Sequence, residues 1–151
     1  MRYIGCLVIA STLFGLSAAQ AQDAEFRLMA MTELKADRGG HFITSADING
    51  TSIRVLVDTG ATVVALSYED ARNVGLRPHS LEFDVPVSTA NGIAKAARVR
   101  LDRVTIDGLE VDDVDGLVLP EGALRGTLLG MSFLSRLGSF RVEDGILYMK
   151  D

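Results

Sequence analysis

Short apolar runs separated by turn dipeptides pattern most of this chain. Phe42 to Ile48, then Asn49-Gly50, then Ser52 to Val57 reads as a β-hairpin, because Asn-Gly accepts the positive φ angles that a tight two-residue turn requires. Asp107-Gly108 joins Val104 to Ile106 with Leu109 to Leu119 in the same way, and Glu143-Asp144-Gly145 joins Phe140 to Val142 with Ile146 to Met149. Val85 to Thr89, Ala90-Asn91-Gly92 and Ile93 to Val104 predict a further hairpin with a small-residue tip. Phe26 to Thr32 predicts a first strand, Leu34 to Gly40 a polar connection, and Val63 to Leu66 a short strand. Asp115-Gly116 also reads as a turn. Two places have helical character. Ser67-Tyr68-Glu69-Asp70 opens a helix running to Val74, with Ser67 positioned to accept first-turn amides and Gly75 to close it. After Leu128-Leu129-Gly130, the segment from Met131 to Leu137 reads as a short amphipathic helix with Gly138 placed to end it. The expected domain is mostly β with two short helices.

One polar group departs from this pattern. Asp58 follows the apolar run Val55-Leu56-Val57 directly, and Asp58-Thr59-Gly60-Ala61-Thr62 leads into Val63-Val64-Ala65-Leu66. An ionised carboxylate at the end of a buried strand is costly unless donors or a partner meet it. Thr59 brings a hydroxyl that donates and accepts, and Gly60 lets neighbouring backbone approach closely. Asp107-Gly108, Asp115-Gly116 and Asp144-Gly145 lack this context of buried strand plus Thr-Gly.

Composition bounds the function without selecting it. The chain has 151 residues, 48% of them hydrophobic, enough for one domain with a real core. Its formal net charge of −5 argues against nucleic acid as the main partner. Arg98, Arg100 and Arg103 form a local basic cluster interrupted by Asp102 and Asp107, which reads as a solvated strand face. At the N-terminus, Arg2, the apolar run from Ile4 to Leu16 and the small-x-small site Ala19-Gln20-Ala21 have the form of an export signal over residues 1–21. The competing reading is an uncleaved anchor in the inner membrane, although Ile4 to Ala19 is shorter than the ~20 residues a spanning helix needs. An exported, periplasmic location is the expectation. Residues 22–39 would then form an N-terminal strand and linker, and residues 40–151 the functional domain. Cys6 falls within the signal, so neither a disulfide nor zinc-thiolate chemistry is expected in the mature domain. His41 and His79 stand at no metal-ligand spacing, and Ser67, Ser132 and Ser135 lack a nucleophile elbow or a nearby His. No cofactor and no metal is expected.

The apolar-apolar-Asp-Thr-Gly-Ala-Thr segment, followed by Leu128-Leu129-Gly130 and a short helix, resembles the retropepsin-like (clan AA) aspartic proteases, especially their bacterial, single-domain, exported branch. The resemblance runs from about Gly40 to Met149. It implies a closed, mostly β acid-protease barrel with one lobe per chain. It makes Asp58 catalytic, gives Thr59 a grip on a partner subunit, and sets Gly60, Ala61 and Thr62 with Leu128, Leu129 and Gly130 as support for the active-site loop. Thr89, Ala90, Asn91 and Gly92 become the tip of a flap that closes over substrate. The chain termini, from Ser139 to Met149 together with Phe26 to Thr32, would join a sheet across a dimer interface.

Such proteases need two carboxyl groups sharing one proton, and this chain has one Asp-Thr-Gly. The second must come from another copy, which a two-fold homodimer supplies through an isologous interface. The expected function is an aspartic endopeptidase that binds protein or peptide substrates in extended form, with water as nucleophile. Ala61 lacks the hydroxyl with which Ser or Thr could favour the charged carboxylate, so activity is expected to reach weakly acidic or near-neutral pH. Three other readings compete. An actin-like or sugar-kinase phosphate site shares Asp-x-Gly-x-Thr but needs far more chain. A catalytically silent domain of the same fold would bind peptides along its cleft. A purely structural exported β-domain explains the hairpins but not the carboxylate.

Overall fold

In the computed structural model, residues 31–89 and 92–151 are described. The expected export signal, most of the expected strand from Phe26 to Thr32, and the residues Ala90 and Asn91 lie outside them. The elements are β1 (Met31–Lys35), β2 (Ile43–Ile48), β3 (Thr51–Val57), β4 (Val64–Leu66), α1 (Tyr68–Asn73), a 3-10 turn (Pro78–Ser80), β5 (Val85–Thr89), β6 (Gly92–Ile106), β7 (Leu109–Val118), β8 (Thr127–Leu129), α2 (Met131–Leu134), β9 (Ser139–Glu143) and β10 (Ile146–Lys150).

The predicted hairpins form with the turn chemistry that predicted them. Asn49 and Gly50 both take positive φ, 51° and 82°, and set β2 against β3 in the register Ile48↔Thr51 to Ile43↔Leu56. Asp107 and Gly108 do the same between β6 and β7, and Asp144 and Gly145 between β9 and β10. Asn49 has a second task beyond turning the chain. Its side-chain Oδ1 accepts the backbone N–H groups of Asp102 and Arg103 at 2.9 and 3.3 Å, and its own N–H donates to Arg103 O at 3.0 Å. These bonds lie beside the Asp47↔Thr105 and Ile48↔Val104 pairs, where β2 meets β6. That meeting closes the strand order β2-β3-β8-β4-β7-β6 into a six-stranded barrel, with β5 added outside on β6.

The barrel's interior takes the alternate residues of each strand. Ile48, Val55, Val64, Leu66, Leu101, Val104, Ile106, Leu109, Val114 and Leu129 are buried there, and Phe133 and Leu134 of α2 pack into the same core. Burial of a side chain the size of Phe133 stabilises by ~2–3 kcal/mol. On the outer face Arg103 pairs with Asp112 at 2.7 Å and with Glu110 at 3.4 Å, and Arg100 with Asp115 at 3.2 Å. These cross-strand pairs are exposed and screened by solvent, so they add little to stability.

A second sheet of three strands, ordered β1-β10-β9, joins the two ends of the described chain. Thr32 and Leu34, Leu147 and Met149, and Phe140 and Val142 share its inner face, since directly opposed residues lie on one side of a sheet.

Three sequence expectations are corrected here. Leu34 and Lys35 continue β1 rather than starting the polar connection, because they pair with Leu147 and Ile146 of β10. Asp115-Gly116 is not a turn. Both residues lie inside β7, where a Cβ on Gly116 would stand 3.3 Å from Val64 O and 3.1 Å from Val99 Cγ2, so the glycine lets two neighbouring strands approach. Finally, α2 is shorter than the amphipathic pattern suggested, ending at Leu134 and unwinding through bonds such as Arg136 N–H to Phe133 O. Gly138 does not take the left-handed φ of a helix cap. An added Cβ there would meet the Asp151 carbonyl carbon at 2.8 Å, so the residue is small for packing against the chain end.

Candidate active site

Strand β3 lies between β2, antiparallel, and β8, parallel, while β8 is in turn antiparallel to β4. The loop from Asp58 to Val63, which links β3 to β4, therefore has to cross the end of β8. Three hydrogen bonds fix it there. Asp58 N–H donates to Leu129 O at 3.1 Å, Met131 N–H donates to Ala61 O at 2.8 Å, and Val64 N–H donates to Ser132 Oγ at 3.0 Å. Gly130 passes beneath the loop so closely that a Cβ would lie 2.6 Å from Ala61 O and closer still to Val63 O. Leu129 is buried in the core below, and Leu128 faces the cleft above. The Leu-Leu-Gly segment is thus the bed on which the Asp58 loop rests.

Within the loop, Asp58 Oδ1 accepts the Gly60 N–H at 2.8 Å, and Ala61 N–H donates to Asp58 O at 3.2 Å. Asp58 itself is half-buried, whereas Thr59, Gly60 and Thr62 are exposed in the single chain. Thr127, immediately before Leu128, is buried and donates its hydroxyl to Asp70 Oδ2 at 2.8 Å, which fastens the start of β8 to α1. Ser67 caps α1 by accepting the Asp70 N–H at 3.1 Å.

Asp58 opens onto a cleft of about 690 Å³. Its walls are Gly60, Ala61, Thr62, Val63, Ala65 and Leu128 on one side, and Pro86, Val87, Ser88 and Thr89 of β5 on the other. Leu117 and Leu119 at the end of β7, with Ala123 and Leu124, complete it. Asp58 is the sole ionisable residue among these lining groups. The geometry offers one carboxylate, an apolar trough, and a hairpin arm above. Thr89 and Gly92 pair at the end of that arm, with Thr89 Oγ1 donating to Gly92 O at 2.8 Å; Ala90 and Asn91, between them, are outside the described residues. Among the described residues no cluster of His, Cys, Asp and Glu could hold a metal ion.

The sequence singled out the loop, its bed and the arm, and the structure brings all three to one cleft. It did not single out Pro86 to Ser88, Leu117, Leu119, Ala123, Leu124 or the tie through Ser132. The apolar Leu117-Val118-Leu119 end of β7 was a legible strand, but nothing in its spacing tells which end of a strand meets a cleft.

Comparison with known proteins agrees with this geometry. A family described as "gag-polyprotein putative aspartyl protease" matches residues 44–136, more than half of the chain. The crystal structure of a retropepsin-like aspartic protease from Rickettsia conorii superposes with a TM-score of 0.73 at 36% identity, covering 80% of this chain and 90% of that one. EIAV protease has the same fold, with a TM-score of 0.56 at 22% identity, over 68% of this chain and 93% of its own. An uncharacterized Sinorhizobium protein is 45% identical over 112 residues, 74% of this chain and 48% of that protein. The chain spans about half the length of the curated relatives it matches.

The close passage at Gly130 generates a stability prediction. Gly130→Ala forces a methyl group against two backbone carbonyls and is expected to cost about 3 kcal/mol, near the upper end of overpacking penalties. Urea unfolding at fixed protein concentration measures it, and an unchanged midpoint would contradict the contact.

Proposed function

The chain belongs to the retropepsin-like aspartic proteases, and from that premise we propose that it is an endopeptidase whose active site is completed by a second copy of itself. The observation that carries the proposal is a single half-buried Asp58 at the floor of an apolar cleft, flanked by exposed Thr59 and Gly60. A lone carboxylate cannot act as acid and base at once, whereas two brought together by a two-fold axis share one proton and divide the roles.

In the proposed reaction the ionised Asp58 takes a proton from water as the water oxygen bonds to the scissile carbonyl carbon. The protonated Asp58 of the other copy gives its proton to the carbonyl oxygen. As the tetrahedral intermediate collapses, the Asp58 that took water's proton gives it to the departing nitrogen, a hydroxyl of the intermediate returns its proton to the other Asp58, and the carbon–nitrogen bond breaks. Gly60 N–H, 2.8 Å from Asp58 Oδ1, holds one carboxyl oxygen in place while this happens. The substrate would lie extended between the Asp58 loop and β5, its side chains alternating between the apolar walls and solvent. Thr89 to Gly92 would close over it.

The second copy finds a suitable surface on the three-stranded sheet. Val142 shares the inner face of that sheet with buried Leu147, yet it is 59% exposed on the edge strand β9. On the other edge Met31 is 57% exposed. A partner chain covering these edges would remove apolar surface and unpaired strand groups together. We place the mature domain in the periplasm on the strength of the signal-like residues 1–21, which are outside the described part of the chain.

Cleavage of an unstructured protein by residues 22–151 tests the proposal. Asp58→Asn is expected to abolish cleavage with the dimer and fold retained, and specific activity is expected to fall on dilution as dimers separate. A folded, dimeric wild type that cleaves nothing over pH 4 to 8 would point instead to a peptide-binding module.

Proteolysis falls at high pH when the shared proton is lost, and a hydroxyl added at position 61 would favour the charged carboxylate. Ala61→Ser is therefore expected to move the alkaline limb of the activity profile toward acid, and an unmoved limb would contradict this role for position 61.

A further inference from the structure

Strand β4 enters the barrel through a parallel ladder with β7, in the register Val64↔Gly116, Ala65↔Leu117 and Leu66↔Val118. In a regular parallel pair alternate residues of one strand bond to the residues flanking their partners on the other. At the far end the ladder obeys this rule, with Leu119 N–H donating to Leu66 O at 3.0 Å. At the near end the same rule assigns Val64 N–H to Asp115 O. There a side chain also spans the rung. Ser132 Oγ accepts the Val64 N–H at 3.0 Å and donates its own proton to Asp115 O at 2.7 Å. A hydroxyl is suited to this splice because one small group both accepts and donates.

The position of the splice gives it a consequence for the site. Val64 is the first residue after the loop that carries Asp58 and the cleft-lining Ala61, Thr62 and Val63. Of that loop's three ties to the Leu129–Ser132 segment, two are backbone to backbone and persist whatever the side chains are. The third is the Ser132 hydroxyl, which also reaches across to β7. Ser132 thus links the exit of the Asp58 loop to two elements at once, α2 and β7.

We propose that Ser132 is a positioning residue, which fixes the exit of the Asp58 loop and through it the separation of the two Asp58 carboxyl groups in the dimer. The inference rests on the reading of Asp58 as half of a catalytic pair. It has a signature that loss of stability alone does not produce. If the loop relaxes and the carboxyls move apart, the repulsion that keeps their shared proton bound weakens, and that proton is lost at a lower pH. The geometric misplacement also acts on the chemical step more than on substrate capture.

The test compares Ser132→Ala with Ser132→Thr, which keeps the hydroxyl. Ser132→Ala is expected to lower kcat by about ten-fold or more with KM changed much less, and to move the alkaline limb of the pH profile toward acid, all at matched dimer fraction. Ser132→Thr is expected to recover most of kcat and the original limb. In parallel, amide hydrogen exchange is followed in the Asp58→Asn background, where no proteolysis is needed. There Ser132→Ala is expected to speed exchange at Val64 about five-fold, the usual cost of losing a net hydrogen bond, while Leu119 is unaffected. A wild type without proteolysis would defeat the protease reading and leave the exchange result to decide the splice. Unchanged Val64 exchange, or a Ser132→Ala enzyme whose loss of kcat is matched by its loss of dimer with the pH limb unmoved, would overturn the proposal.

Discussion

Everything at the site depends on a backbone crossing. Strand β8 lies between β3 and β4, so the loop joining those two strands must pass over its end with room for no side chain beneath. Gly130 supplies the clearance, and its neighbours supply the hydrogen bonds: Leu129 O receives Asp58 N–H and Met131 N–H reaches Ala61 O. A loop held at both ends by a buried three-strand crossing has little freedom to move. That is the condition a catalytic carboxylate needs, since misplacement by about 1 Å can cost on the order of a hundred-fold in rate.

Much of this was legible in the amino acids. Asn49-Gly50, Asp107-Gly108 and Asp144-Gly145 announced their hairpins because few residue pairs tolerate two successive positive φ angles. Asp58 stood out because a carboxylate at the end of Val55-Leu56-Val57 needs an explanation. What escaped was non-local. Asp115-Gly116 has the composition of a turn, yet the glycine serves close approach between β4, β6 and β7, which only the assembled barrel makes visible. Gly138 likewise carries the signal of a helix cap while its smallness accommodates Asp151. Ser132 has neither a nucleophile elbow nor a nearby His in the sequence, so local context gives it no role. Its bonds to residues 68 and 17 positions away in the chain are of a kind that spacing does not encode.

The same structure accounts for what a single chain lacks. Asp58 is the one ionisable group among the described residues that line the cleft, Thr59 and Gly60 are exposed beside it, and Val142 leaves an apolar side chain open at the edge of the terminal sheet. Each is explicable if a second copy covers it. In the proposed dimer each protomer would bring the fold, the trough and half of the chemistry.

That claim is tested most directly by subunit titration. Wild-type chain is mixed in varying proportion with Asp58→Asn chain at constant total concentration, above the dimer dissociation constant and after full exchange, and cleavage is measured. If one active site takes a carboxyl from each copy, activity follows the square of the wild-type fraction, because mixed dimers are inactive. Activity that falls in simple proportion to the wild-type fraction would show that one Asp58 suffices, and would contradict the shared site.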